Sequence, residues 1–162
     1  MECYIRTKEA ITTNQTNDEV CVLNYEDEVL RAFGESAPVH VVWFSSVRKL
    51  AEGFYLDGEE IFYAHDGNTE KVINVNDLNL LGRHNYENVM AATAMSVNFG
   101  VPMEKIVEVL KRFQAVEHRI EYVTEKRGVR FYNDSKGTNP DAAIQGIRAM
   151  NRPTLLIGGG YD

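Results

Sequence analysis

The sequence predicts an α/β fold: a parallel sheet extended by a β meander and covered by helices, then the start of a second α/β unit. Three observations carry this. Two short continuous apolar runs, Val20 to Leu23 and Val39 to Phe44, flank a helical segment at the spacing of a βαβ unit. The turn signals Asp57-Gly58 and Asp66-Gly67 punctuate a β-rich stretch from Phe54 to Val75. After Arg119 a new series of strand, strand, helix and strand begins.

Taken in order, residues 2 to 13 suit a helix, which Asn14-Gln15-Thr16-Asn17 ends. Val20 to Leu23 reads as a strand buried on both faces, Glu26 to Phe33 as a helix, Gly34 to Pro38 as a loop and Val39 to Phe44 as a second buried strand. The meander supplies three strands. Two helices follow. The first places Val89, Ala92, Met95 and Phe99 on one face and stops at Gly100; the second starts at Pro102 and carries the stripe Ile106, Val109, Leu110 and Phe113. Ile120 to Glu125 and Val129 to Tyr132 flank Lys126-Arg127-Gly128 as a hairpin. A helix from Pro140 to Met150, with Ala143, Ile147 and Met150 as its apolar face, and a strand from Thr154 to Ile157 complete a β-β-α-β arrangement. The change of pattern sets a domain boundary near residue 117, giving units 1–117 and 118–162. The second, about 45 residues long, is near the size at which a lone core is marginal.

With 44% hydrophobic and 25% charged residues, the chain has the composition of an ordinary globular protein. A net charge of −7 argues against nucleic acid or an anionic membrane surface as the main partner, while local phosphate binding stays open. Cys3 and Cys21 form neither a metal-ligand spacing nor a disulfide framework, which makes a reducing cytoplasm the expected compartment. No 18-residue apolar run and no basic start followed by an apolar stretch occurs, so neither a membrane span nor a signal peptide is expected.

The segment richest in chemistry is Asn133-Asp134-Ser135-Lys136-Gly137-Thr138-Asn139, between a strand and a helix. Such a junction turns backbone N–H groups and a helix N-terminus toward an anion. Lys136 adds a positive point charge, Asp134 a carboxylate, and Ser135 and Thr138 hydroxyls. An ordinary polar connection with an Asn cap would look the same. Two further motifs accompany it: Gly82-Arg83-His84-Asn85-Tyr86-Glu87-Asn88 opens an Ala-rich helix, and Glu117-His118-Arg119-Ile120-Glu121 follows the next helix.

In this order and spacing the three motifs resemble the Mur ligases of peptidoglycan synthesis. The D-S-K-x-T-N form points to the branch that adds D-glutamate to UDP-N-acetylmuramoyl-L-alanine. Met1 to Lys8 resembles the segment carrying the family's modified lysine, Asn74-Val75-Asn76-Asp77-Leu78 the stretch before its H-N-x-x-N helix, and Gly159-Gly160-Tyr161-Asp162 its G-G-x-D turn. The resemblance implies that 1–117 is the rear of a central ATP-binding ligase domain and 118–162 the front of a Rossmann-like, amino-acid-binding C-terminal domain. The chain would then be cut from a larger enzyme. No G-x-x-x-x-G-K-[ST] phosphate loop occurs in these residues. The lysine that usually follows the G-G-x-D aspartate would lie beyond Asp162.

The same resemblance assigns roles. Lys8 would be carbamylated and contribute an oxygen ligand to Mg²⁺, which needs a neutral amine; read without the family it is a solvated lysine. Asn85 and Asn88, three apart on a helix, would meet the adenine of ATP, a carboxamide matching its donor–acceptor edge; the alternative for Asn85 is a helix cap. Arg119 would hold ATP phosphates rather than form a surface ion pair. Asp134 would lie near the ribose, Lys136 near the transferred phosphate, and Thr138 toward the incoming amino acid. Gly137 stands where the family often has alanine. His84 and His118 read as packing residues. The implied activity is ATP-dependent amide ligation through an acyl phosphate, with ATP and Mg²⁺ as cofactors. A folylpolyglutamate-type ligase is the rival within the superfamily. A catalytically silent folding unit or interaction module is the rival outside it, favoured by the missing phosphate loop. The aspartate-tyrosine-alanine-histidine motif typical of the other Mur ligases is absent.

Overall fold

The structure is a computed structural model and describes residues 2–160. Helix α1 (Glu2–Glu9) runs into a 3-10 turn at Ala10–Thr12 and has no buried residue. Strand β1 (Val20–Asn24) leads to α2 (Glu28–Ser36), whose N-cap Asp27 accepts the N–H groups of Val29 and Leu30. Strand β2 (His40–Ser45) returns parallel to β1 in the register Val20↔His40 to Asn24↔Phe44. Alternate β1 residues then face opposite ways. Cys21 and Leu23 join Val39, Leu30, Phe33 and Trp43 under α2, while Val20 and Val22 pack on the main core.

Strand β3 (Gly53–Asp57) also lies parallel to β2, although only residues 46–52 separate the two. Parallel neighbours usually need a crossover of a dozen or more residues. Here the strands overlap only at Phe44↔Phe54 and Ser45↔Tyr55, so the chain steps sideways without returning to the start of β2. Gly53 makes the step possible. Its φ is +112°, and its Cα lies so close to β2 that an added Cβ would be 3.1 Å from the Trp43 carbonyl carbon and closer still to the oxygen. Strands β4 (Glu60–His65) and β5 (Asn68–Asn74) complete the meander as antiparallel neighbours, giving a five-stranded sheet in the order β1-β2-β3-β4-β5.

Helix α3 (Arg83–Asn98) lies on this sheet against β1, β2 and β3 and buries Val89, Met90, Thr93 and Ala94 against Phe44, Phe54, Ile61 and Ile73. The predicted face was displaced by about one position: Met95 is half exposed and Phe99 is 90% exposed. Helix α4 (Met103–Arg112) packs through Met103, Ile106, Val107 and Leu110, leaving Val109 and Phe113 outside. Both errors come from counting apolar residues, whereas the sheet selects the face that fits it.

A separate two-stranded sheet follows. Strands β6 (Glu121–Lys126) and β7 (Val129–Asn133) share no ladder with the first five, and α5 (Pro140–Ala149) follows β7. Helix α5 is capped by Asn139, which accepts the Ala142 N–H at 2.8 Å. It buries Gly146 and Ala149 rather than the expected Ile147, which is about half exposed. The strand predicted at Thr154 to Ile157 does not form, and Leu155 and Ile157 are 87% and 89% exposed. A strand buried on both faces needs parallel neighbours and covering helices, and the two-stranded sheet supplies neither. The last two residues of the Gly159-Gly160-Tyr161-Asp162 motif lie outside the described residues.

Candidate functional site

The structure joins two of the three sequence motifs by hydrogen bonds. The Lys136 N–H donates to the His118 carbonyl at 2.9 Å, and the Ile120 N–H donates to Asp134 Oδ1 at 3.1 Å. Arg119 therefore sits in a turn stitched on both sides to the Asp134–Lys136 loop. That turn is unusual for its residues: His118 has φ +69° and Ile120 φ +47°, left-handed values that a β-branched side chain strongly disfavours. Such positions cost on the order of 1–3 kcal/mol each and persist where the surroundings over-determine them. The loop opposite is compact. The Ser135 N–H meets Asn133 Oδ1 at 3.1 Å, the Gly137 N–H the Asp134 carbonyl at 2.9 Å, and the Thr138 N–H the Lys136 carbonyl at 2.8 Å.

The side chains of Arg119, Lys136 and Thr138 are exposed, and neither cation has a carboxylate partner among the described residues. Two unpaired cations carried by backbone-linked loops can grip an anion with several oxygens. Asp134 is half-buried and acts first as a brace. Its Oδ1 holds the Ile120 amide, while its other oxygen rests against Gly146, where an added Cβ would lie 3.4 Å from Asp134 Cγ. That second oxygen keeps lone pairs for a hydroxyl donor.

Asn85 and Asn88 occupy the first turns of α3, Asn88 exposed and Asn85 half-buried. The helix is capped by the backbone of Gly82, not by Asn85, whose Nδ2 donates to the Leu81 carbonyl at 2.7 Å and leaves its Oδ1 as an acceptor. The start of α3 and the end of α5 approach closely here: a Cβ on Gly82 would stand 2.6 Å from Ala149 Cβ. The His84 ring also crowds Gly82, in keeping with a packing role. The start of the asparagine-bearing helix thus neighbours the C-terminal end of α5 and the Lys136 loop adjoins its N-terminal end, separated by roughly 15 Å of helix at 1.5 Å per residue.

Lys8 is not brought to these residues. It lies on the exposed α1 with its Nζ 5.4 Å from the Tyr4 ring centre, and no group of three or more His, Cys, Asp or Glu side chains converges as a metal site among the described residues.

Sequence reasoning passed over two polar networks. His118, read as a packing residue, is exposed and polar in its contacts: its Nδ1 lies 2.9 Å from Asn133 Nδ2, and its N–H donates to Glu121 Oε2 at 2.9 Å. The other network lies at the carboxyl ends of β1 and β2, where open α/β sheets bind ligands. Ser45 Oγ donates to Glu26 Oε1 at 2.6 Å, and Arg48 grips both Glu26 oxygens at 2.8 Å. The Arg48 hydrogen bond, seconded by Ser45, holds the Glu26 carboxyl below its ordinary value against the opposing effect of burial. The buried Ser46 donates to Glu87 of α3, tying that helix to β2. The signal available for this network was Ser45-Ser46 directly following an apolar strand.

A strained arginine turn is locked to a strand–loop–helix junction in a mixed α/β protein whose five-stranded sheet carries two asparagines on its covering helix. The Mur ligase middle domain model matches residues 1–96, and the chain belongs to the Mur ligase family. Over all 162 residues it is 57% identical to UDP-N-acetylmuramoylalanine--D-glutamate ligase of Lachnospira eligens and 55% identical to the same-named protein of Lachnoclostridium phytofermentans, spanning 36% of each. The chain thus spans about a third of the length of the curated relatives it matches. Among solved structures, MurF from Acinetobacter baumannii superposes with a TM-score of 0.65 at 20% identity, covering 89% of this chain and 32% of that one. No described helix is long and apolar enough to cross a membrane.

Proposed function

We propose that this chain is the central portion of a longer ATP-dependent ligase that joins D-glutamate to UDP-N-acetylmuramoyl-L-alanine in the cytoplasm. Residues 1–117 are the rear of its ATP-binding domain and 118–162 the front of its amino-acid-binding domain. The observation that carries the reading is the hydrogen-bond stitching of the Arg119 turn to the Lys136 loop, which puts two cations without a carboxylate partner among the described residues on linked loops. The full-chain identity to relatives of that name supports the substrate pair.

In this reading Arg119 and Lys136 bind phosphate oxygens of ATP and stabilise the charge that gathers on them as the γ-phosphoryl group passes to the substrate carboxylate. The amine of D-glutamate then attacks the acyl phosphate, forming the amide and releasing phosphate, with Thr138 on the amino-acid side. The free Oδ1 of Asn85, with Asn88, meets adenine, and the second oxygen of Asp134 meets the ribose. Mg²⁺ would neutralise phosphate charge, but the described residues do not supply a ligand set for it. Lys8 alone cannot make one, and no step is assigned to the ion through this chain.

The test is steady-state kinetics on the protein extended to the length of its relatives. Lys136→Ala should lower kcat on the order of 100-fold with a smaller effect on the KM for ATP. Asn85→Ala should mainly raise that KM, because adenine contacts are equal in ground and transition states. A Lys136→Ala enzyme with near-normal turnover would return the loop to an ordinary connection. Glutamylation of a folate in place of the nucleotide sugar would favour the folylpolyglutamate-type alternative.

A further inference from the structure

We propose that Glu121 and Asn133 are positioning residues that aim Arg119, a role that rests on the ligase reading above. The two face each other as the terminal rung of the β6–β7 hairpin, in the register Glu121↔Asn133. From there both hold His118, the residue before Arg119. Glu121 Oε2 accepts the His118 N–H at 2.9 Å and Asn133 Nδ2 at 3.3 Å. The same Asn133 amide lies 2.9 Å from His118 Nδ1, while its Oδ1 accepts the Ser135 N–H at 3.1 Å. One carboxylate and one carboxamide therefore connect the residue before Arg119, the first rung of the hairpin and the loop carrying Lys136.

Two facts make this more than ordinary turn chemistry. The backbone on either side of Arg119 is left-handed at non-glycine residues and relaxes unless it is held, and the Glu121 carboxylate holds the His118 amide directly. The Arg119 side chain has no partner of its own among the described residues, so the turn alone sets its direction. The hairpin supplies the rigidity: its rungs fix Glu121 and Asn133 relative to each other, and a misdirected cation loses its advantage within about 1 Å.

The experiment is a double-mutant cycle in the protein extended to the length of its relatives, with hydrogen exchange as a second readout. Glu121→Ala should lower kcat about 10-fold while the KM for ATP stays within about twofold. Asn133→Asp, which keeps the acceptor for Ser135 but loses the donor to Glu121, should do the same. Glu121→Gln retains an acceptor oxygen and should restore most of the rate. The decisive outcome is non-additivity: Glu121→Ala combined with Arg119→Ala should be no slower than Arg119→Ala alone. Additive losses, or a Glu121→Ala enzyme at wild-type turnover, would overturn the proposal. The His118 amide should also exchange on the order of 10-fold faster in Glu121→Ala; unchanged exchange would overturn it too. A wild-type protein lacking ligase activity would instead refute the reading beneath, and the exchange rates would still report whether Glu121 holds the turn.

Discussion

Replacing Gly53 by alanine tests the staggered parallel step between β2 and β3. The new Cβ would meet the Trp43 backbone 3.1 Å from its carbonyl carbon and closer to its oxygen, and neither strand can move without breaking the Phe44↔Phe54 pairing. A left-handed φ costs an alanine about 1–2 kcal/mol. Overpacking in a rigid setting adds about 1–3 kcal/mol. The sum, about 2–5 kcal/mol, is a large part of the 5–15 kcal/mol that holds a typical domain. Urea denaturation followed by fluorescence measures it directly, since Trp43 is the single tryptophan and lies at the point of collision. Gly67→Ala is the control: its φ is +72° but nothing lies within 4 Å of the added atom, so only the backbone cost of about 1 kcal/mol should appear. If the two variants lost equal stability, the close approach of β3 to β2 would not be what demands glycine.

Other expected outcomes follow from the same contacts. Gly146→Ala should push the Asp134 carboxylate off the Ile120 amide, costing about 1–3 kcal/mol, with faster exchange of that amide as the signature. Glu26 has a folded-state pKa below its ordinary 4.5, so its contribution is complete above that value and is lost as pH falls through the lower folded one. The stability gap between wild type and Glu26→Gln should therefore be constant near neutral pH and close in acid; a gap that widened in acid would contradict the Arg48 pairing. Calorimetry on the 162-residue chain should give at best millimolar ATP affinity, because the backbone donors and lysine of a phosphate loop are absent. A micromolar constant would show that Asn85, Asn88 and Arg119 suffice.

The candidate site was legible in part. Arg119 and Lys136 stand out only through the order and spacing of the three motifs, because the loop taken alone looks like an ordinary polar connection with an Asn cap. Their mutual support was not legible, since the His118–Lys136 and Ile120–Asp134 bonds join residues more than a dozen positions apart. His118 was misread for the same reason: its partner Asn133 lies across a hairpin. Lys8 shows the opposite case, a residue nominated by resemblance whose surroundings among the described residues hold no partner ligand.

By itself the sequence determined the strands of both sheets and where most turns fall, though not that Thr154 to Ile157 stays outside them. Apolar runs, Asp-Gly pairs and prolines act within a few residues of their own positions. Val20–Asn24, His40–Ser45 and the three meander strands appear within a few residues of expectation. Tertiary structure alone decided which faces of α3, α4 and α5 are buried, how β3 reaches β2 by a short step, and why Thr154 to Ile157 stays outside any strand. A helix offers several apolar stripes and an apolar run can be a strand in waiting. The choice falls to whichever neighbouring surface removes the most apolar area from water without a clash, and that surface is built by residues far away in the chain.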